Sequence, residues 1–344
     1  MTDIIEQESC DVAIIGAGPS GLSAATMLKK SGIQRIVVLE REAEAGGIPR
    51  HCGHPPFGIR EYQRVLTGPA YAKKLVETAQ SAGVNIALKT TVTMLGSGGE
   101  LSIVSPAGSR KLAAKRVLLA TGIRETPRSA RLVSGNRALG ICTTGVLQSM
   151  VYLKNRIPFR RPVVVGTEIV SFSALLTCRD ASIQPVAMLE EKLRPSVRWP
   201  IYDLTRWFGV PLYLQTKIVN ILGNERVEAV QVSDKNGKVR DIACDGVLFT
   251  GQYTPESNLA RISHLTLDPE TKSPDVDEFG RCSDPVYYAT GNVVQPPCNQ
   301  AKIPIYYVAG NLPNPVDNAG QCWSQGRAAA RNIVKDLSGN LPFS

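Results

Sequence analysis

The 344-residue chain has eight cysteines, at 10, 52, 142, 178, 244, 282, 298 and 322, but no Cys-x-x-Cys pair. That spacing excludes the simplest zinc, iron–sulfur and redox-disulfide signatures, and free thiols, several of them in the core, are expected instead. No apolar run is long enough to cross a bilayer, so no membrane span is expected. The first residues, Met1-Thr-Asp-Ile-Ile-Glu6, are acidic and lack the basic-then-apolar order of a secretory leader; the expected location is cytoplasmic. Lys and Arg exceed Asp and Glu by 39 to 30, a net charge of +9, yet they are spread along the chain without a dense basic run. A solvated surface and an anionic cofactor account for that balance, and no nucleic-acid partner is expected. Histidine is scarce: two of the three fall within four residues, at His51 and His54.

The organising stretch is Cys10-Asp-Val-Ala-Ile-Ile-Gly16-Ala-Gly18-Pro19-Ser20-Gly21-Leu22, followed by Ile36-Val-Val-Leu-Glu40-Arg41. A continuously apolar run reads as a strand buried on both faces. The loop after it is Gly-x-Gly-x-x-Gly. Gly16 permits the tight turn, Gly18 lets backbone approach a pyrophosphate, and Gly21 lets the following helix pack close to the strand. Pro19 suits the first helical position, where its missing N–H costs nothing, and Gly32 suits the helix end. Unpaired N–H groups at the helix start would face phosphates, and Glu40 is placed to accept hydrogen bonds from a ribose. Dinucleotide binding is the expectation.

A second unit lies on the first at an offset of 150 residues without a gap: Gly166 on Gly16, Glu168 on Gly18, Ser171 on Gly21 and Glu190 on Glu40. Two such units imply two dinucleotide-type lobes. In the second, Glu168 puts a side chain where a pyrophosphate would approach. Two like charges about 4 Å apart at an effective dielectric near 20 repel by about 4 kcal/mol, roughly a thousandfold in affinity. Ordinary NAD(P)H binding there requires the loop to be displaced or Glu168 to point outward. Two strands ending in turns, Ala120-Thr121-Gly122 and Phe249-Thr250-Gly251, repeat one another, and Val286-Tyr-Tyr-Ala-Thr-Gly291-Asn292 recurs as Ile305-Tyr-Tyr-Val-Ala-Gly310-Asn311. Between the first unit and Thr121, Val84–Thr93 and Leu101–Ser105 read as short strands of an antiparallel excursion, and a last helix is expected from Asn318 or Ala319 to Leu337.

These pieces, in this order and over nearly the whole chain, resemble the two-dinucleotide-binding-domain flavoproteins, the group of thioredoxin reductase and the pyridine-nucleotide-disulfide oxidoreductases. The resemblance implies an α/β fold of two Rossmann-like three-layer lobes. The FAD lobe, 1–125 plus 252–344, is split by an inserted NAD(P)-type lobe, 126–251. It implies FAD at the first loop, with Gly47 and Ala120–Gly122 near it. A late Gly-Asp would reach the ribityl chain; here that motif is Gly-Asn, with Gly310–Asn311 preferred and Gly291–Asn292 as the alternative. The last helix would aim its start, Asn318–Ala319, at the isoalloxazine. A thioredoxin reductase needs two thiols, and the corresponding stretch Gly140-Ile-Cys142-Thr-Thr-Gly145 has one, so disulfide reduction is disfavoured.

More narrowly, Gly46-Gly47, Cys52-x-His54-x-x-Phe57-Gly58, Leu66-Thr-Gly-Pro69 and Asp317-Asn-Ala-Gly320-Gln-Cys-Trp323 resemble FAD subunits of multi-subunit bacterial enzymes. Opine oxidase, hydrogen cyanide synthase, hydroxyproline or proline dehydrogenase and the accessory proteins of glycerol-3-phosphate dehydrogenase type are of this kind. Such proteins work beside a small iron–sulfur protein and a second flavoprotein subunit, and oxidise amino-acid-like or polyol-phosphate-like substrates. Two rivals stand beside this one: a self-contained NAD(P)H-dependent flavin reductase, and a non-catalytic nucleotide-bound scaffold subunit. The segment carrying His51, Cys52 and His54 should line the flavin. A proton relay, a metal site of crowded local ligands, and side chains that merely pack the loop are its three readings. No metal site is expected.

Overall fold

A computed structural model describes residues 8–197, 203–294 and 318–342. β1 (Glu8–Ile15), α1 (Pro19–Lys30) and β2 (Ile36–Leu39) form the expected strand–loop–helix–strand unit. Pro19 is the first helical residue, and Gly32 takes φ +91° one residue past the cap. Through a long loop and the helix Gly68–Ser81 the chain reaches β3 (Asn85–Ala87), β4 (Thr91–Leu95), β5 (Glu100–Ser105) and β6 (Gly108–Leu119). The sheet order is β3-β2-β1-β6-β5-β4, and the strand Tyr287–Ala289 returns late in the chain to pair in parallel with Val117–Leu119 at the end of β6. The strand expected over 84–93 is broken. Lys89, at φ +50°, turns the chain, so β3 extends the parallel sheet beside β2 while β4 joins the antiparallel meander.

Alternation along the strands builds the layers, because successive side chains point to opposite faces. Val12, Ile14, Val38, Leu118 and Tyr288 face α1, the helix Gly68–Ser81 and the closing helix Ala319–Leu337. Ala13, Ile15, Leu39, Val117, Leu119 and Tyr287 face the opposite way, onto Val92, Leu101 and Ile103 of the meander. Both faces are covered, which is why these strands read as unbroken apolar runs.

The second lobe repeats the plan. Its parallel sheet runs in the order Leu212–Leu214, Ala187–Glu190, Pro162–Val165, Gly246–Phe249, Ile141–Thr143. Val164, Met188 and Leu248 pack against Phe172 and Leu175 of the helix Ile169–Asp180. Val163, Leu189 and Val247 pack against Ile221, Val230 and Val232 of an antiparallel sheet built from Lys217–Leu222, Ala229–Ser233 and Val239–Ala243. The fold is α/β, with two Rossmann-like lobes of three layers each. Among the described residues the chain passes between them in Ile123–Glu125 and Tyr253–Pro255, and the two crossings pair with one another as an antiparallel ribbon. Among the described residues no helix is long and apolar enough to cross a membrane.

Candidate functional site

The three glycines of the first loop meet different surroundings. A Cβ on Gly16 (φ +107°) would lie 2.5 Å from the carbonyl oxygen of Ala120, and one on Gly21 would lie 2.0 Å from that of Gly16. Both are held bare by packing. A Cβ on Gly18 would meet nothing within 4 Å, so packing within the chain does not require its bareness and the space over it is open. Gly18 is also the residue before α1, and no side chain caps that helix, which leaves its first N–H groups turned toward the open space. Gly47 closes the far side: a Cβ there would come within 2.9 Å of the Gly18 Cα. Glu40, buried at 8% exposure, accepts the Ala17 N–H on one oxygen and the Glu42 N–H on the other, both at 2.9 Å. It ties the loop to the end of β2 and keeps lone pairs for a ribose. Arg41 is largely exposed and faces Glu42. This set fits FAD's pyrophosphate and adenosine end.

Gly291 and Asn292 follow Tyr287–Ala289, the strand beside β6, and the Thr290 N–H donates to Leu119 at 3.0 Å. A Cβ on Gly291 would lie 2.6 Å from the Ser20 hydroxyl at the start of α1. The structure therefore brings the alternative Gly-Asn copy to the first glycine loop and to Ala120–Gly122. Gly310 and Asn311, the preferred copy, lie outside the described residues. The closing helix starts at Ala319 with Asn318 as its cap, the Gln321 N–H donating to Asn318 Oδ1 and the Asn318 N–H to Gln321 Oε1, each at 3.0 Å. It packs directly on α1: a Cβ on Gly326 would lie 2.1 Å from Ser20 O, and Ser23 Oγ donates to Trp323 O at 2.8 Å.

His51, Cys52 and His54 reach the second lobe. His54 Nε2 and Ser173 Oγ are 2.5 Å apart, and Gln148 donates to that same hydroxyl at 2.8 Å. Cys52 Sγ lies 3.5 Å from Gln148 Oε1. Burial pushes the Cys52 thiol up to about 12, with the Glu125 charge adding to it. Cys142 is raised for the same reasons, and both sulfurs favour the neutral thiol. Burial lowers the His51 pKa against a hydrogen bond with Gln148, and the imidazole is neutral at physiological pH. Among the described residues no group of His, Cys, Asp and Glu converges as metal ligands.

The sequence held no motif that marked Glu125, Thr144 or Gln148. Glu125 sits on the crossing ribbon, accepts the Gly145 N–H at 2.6 Å on Oε2, and has its pKa raised by burial. Its Oε1 is buried without a hydrogen-bond partner, as are His51 Nδ1 and Thr144 Oγ1. Glu125 Oε2 and His51 Cε1 both face the α-carbon of Gly145, 3.3 and 3.7 Å from where a Cβ would stand. Buried polar atoms without a partner are a cost unless something else meets them. Arg128 donates to the carbonyls of Val133, Gly135 and Asn136. Arg124 faces Glu256, and His264 pairs with Asp284 at 2.8 Å on the surface.

In the second loop, Gly166 takes φ +111° and Ser171 bonds Thr250 at 2.6 Å. Glu168 does not point outward. A Cβ on Gly251 would lie 2.5 Å from its carboxyl carbon. Burial raises its pKa, with the nearby charge of Glu190 acting in the same direction.

A family model described as pyridine nucleotide-disulphide oxidoreductase matches residues 10–321. An opine oxidase subunit of Agrobacterium tumefaciens (strain Ach5) is 26% identical over 314 residues, covering 82% of this chain and 61% of its own length. The alpha subunit of sarcosine oxidase from Rhizobium meliloti (strain 1021) is 23% identical over 269 residues, covering 73% of this chain and 25% of its own. The chain thus spans less than two thirds of the length of these relatives. Among solved structures, T. acidophilum thioredoxin reductase superposes with TM-score 0.72 at 20% identity, covering 96% of this chain and 100% of that one. L-proline dehydrogenase from P. horikoshii gives 0.68 at 20% identity, covering 98% and 57%. At these identities the superpositions show a shared fold.

Proposed function

The chain belongs to the pyridine nucleotide-disulphide oxidoreductase family as an FAD-dependent oxidoreductase, and on that premise we propose that it is the FAD subunit of a heteromeric dehydrogenase or oxidase. Its substrate is small and amino-acid-like or polyol-phosphate-like, and a second flavoprotein subunit or a small iron–sulfur protein carries the electrons onward. The relatives named as subunits of opine and sarcosine oxidases support this. The FAD lobe comprises 1–125 and 252–344, and the inserted lobe 126–251.

The observation that carries the proposal is at Gly145. A disulfide reductase would need a reactive dithiol there; this chain has the single protonated thiol of Cys142 and, beside it, a neutral imidazole and a carboxyl group with unpartnered atoms. Such a pair suits oxidation of a C–N or C–O bond, which releases a proton as the hydride leaves. FAD supplies the two-electron acceptor. His51 takes the substrate proton at Nδ1, Glu125 holds the resulting charge, and Gln148 keeps the imidazole oriented from the inserted lobe. Gly16, Gly18, Gly21 and Glu40 hold the dinucleotide end. Asn292 would hold the ribityl chain, and the start of the closing helix would favour negative charge on a flavin ring bound before it.

Purification of the chain alone and together with candidate partner subunits tests this. The expected outcome is a yellow complex with one releasable FAD on this chain, bleached anaerobically by a small secondary amine or polyol phosphate. A colourless chain, or one bleached only by a thiol substrate, would overturn it.

A further inference from the structure

The second lobe copies the first at a spacing of 150 residues, and three differences between the copies fall in one place. Ala17, Gly18 and Gly46 of the first become Thr167, Glu168 and Ser196 of the second. All three side chains sit in the crevice at the ends of the parallel strands, where open sheets of this kind take their ligands. Glu168 folds over the first turn of Ile169–Asp180, with Ser171 Oγ 3.4 Å from its Oε2. That oxygen lies 2.6 Å from where a Cβ on Gly166 would stand, and both oxygens lie 2.7 Å from the same point on Gly251. The carboxylate thus fills the gap between the two glycines that border the loop, at the helix start where a phosphate would otherwise sit.

The acceptor beside it is filled as well. Thr167, wholly buried, gives its hydroxyl to Glu190 Oε2 and accepts the Ser196 N–H at 2.8 Å. Ser196 Oγ donates to the same carboxylate oxygen at 3.3 Å, and the Lys192 N–H to the other at 3.1 Å. In the first lobe the equivalent Glu40 receives backbone N–H groups from Ala17 and Glu42, and Gly46 adds no side chain.

We infer that the inserted lobe is a self-liganded dinucleotide fold: Glu168 occupies the pyrophosphate position, Thr167 and Ser196 occupy the ribose acceptor, and pyridine nucleotides are excluded. This deepens the proposed function by closing the NAD(P)H route to the flavin, and rests on it for that consequence alone.

Calorimetric titration of the flavin-loaded chain with NADH and with ADP-ribose tests the inference. Wild type is expected to bind neither below roughly 1 mM. The variant Thr167→Ala/Glu168→Gly/Ser196→Gly is expected to gain at least about a hundredfold. Micromolar binding by wild type overturns the inference, and that measurement needs no variant. A triple variant with unchanged circular dichroism and flavin spectrum but no gain also overturns it. If the triple variant does not fold, Glu168→Ala is expected to gain about tenfold, and no gain counts against the inference in the same way. Flavin content is read separately in the visible spectrum. A colourless chain would defeat the FAD assignment, and the inserted lobe is then read from the gain of the variant over wild type, since the open first loop contributes equally to both.

Discussion

Ser173 and His54 meet at 2.5 Å, joining a helix of the inserted lobe to the loop that follows the first glycine turn. Gln148 sits behind that contact at 2% exposure, reaching Ser173 on one side and Cys52 on the other. Replacing Gln148 by Leu keeps the volume and removes its hydrogen bonds to Ser173 and Cys52. A loss of about 2 kcal/mol is expected, at the scale of buried groups left without partners. Thermal unfolding followed by near-UV dichroism is the check, and a variant melting within one degree of wild type would remove Gln148 from this role.

Gly18 and Gly21 are expected to part company under substitution. Gly18→Glu enters open space at the loop, so the protein should fold and purify without flavin. Gly21→Ala drives a Cβ into the Gly16 carbonyl, and a destabilisation of about 3 kcal/mol is expected whether or not flavin is present. Melting curves beside flavin-to-protein absorbance ratios separate the two.

Asp336 on the closing helix accepts hydrogen bonds from Arg116 of β6 and from Tyr288 Oη, the latter at 2.7 Å. Burial alone would raise its pKa, but those two donors outweigh it and hold the carboxyl below its usual range. A depressed folded pKa gives stability that is present above the unfolded value, near 4, and lost as pH falls through the folded one. Wild type should therefore lose more stability between about pH 5 and pH 2 than Asp336→Asn. Urea midpoints across that range decide it, and parallel curves would sink the idea.

The thiols beside the site should be inert. With Cys52 pushed up to about 12 and Cys142 raised as well, both are protonated at pH 8. Native protein treated with iodoacetamide is expected to remain unlabelled at both positions by peptide mass mapping. Cys142→Ser should leave anaerobic bleaching by substrate within about twofold of wild type. Rapid labelling of Cys142, or loss of bleaching in the serine variant, would restore a thiol mechanism.

Much of this was legible in the chain because it is local. The turn at Gly16, the helix start at Pro19, the end near Gly32 and the closing helix from Asn318 each follow from a residue's own backbone preference. The 150-residue offset exposed Glu168 because its first-lobe counterpart is a glycine with a known task. What stayed hidden depends on contacts made at long range. Glu125 and Gly145, twenty residues apart, meet only because a ribbon strand and a short helix converge. Gln148 has no pattern of its own, and its role comes from facing Cys52 across the two lobes. The break at Lys89 was missed for the opposite reason: a lysine at φ +50° carries no sequence sign, where a glycine would have announced the turn. The two Gly-Asn motifs are near-identical in sequence, and the position of the copy at Gly291 beside the first loop comes from a long-range pairing of its strand with β6.

The paired crossings carry a consequence for the chain's architecture. The Thr126 N–H donates to Gln252 O at 2.7 Å, so the insert leaves and rejoins the first lobe at adjacent points. A chain cut after Glu125 and resumed at Gln252 would need only a tight turn to close. The chain thus enters and leaves the second lobe through one doorway, with Glu125 and Tyr253 as its threshold.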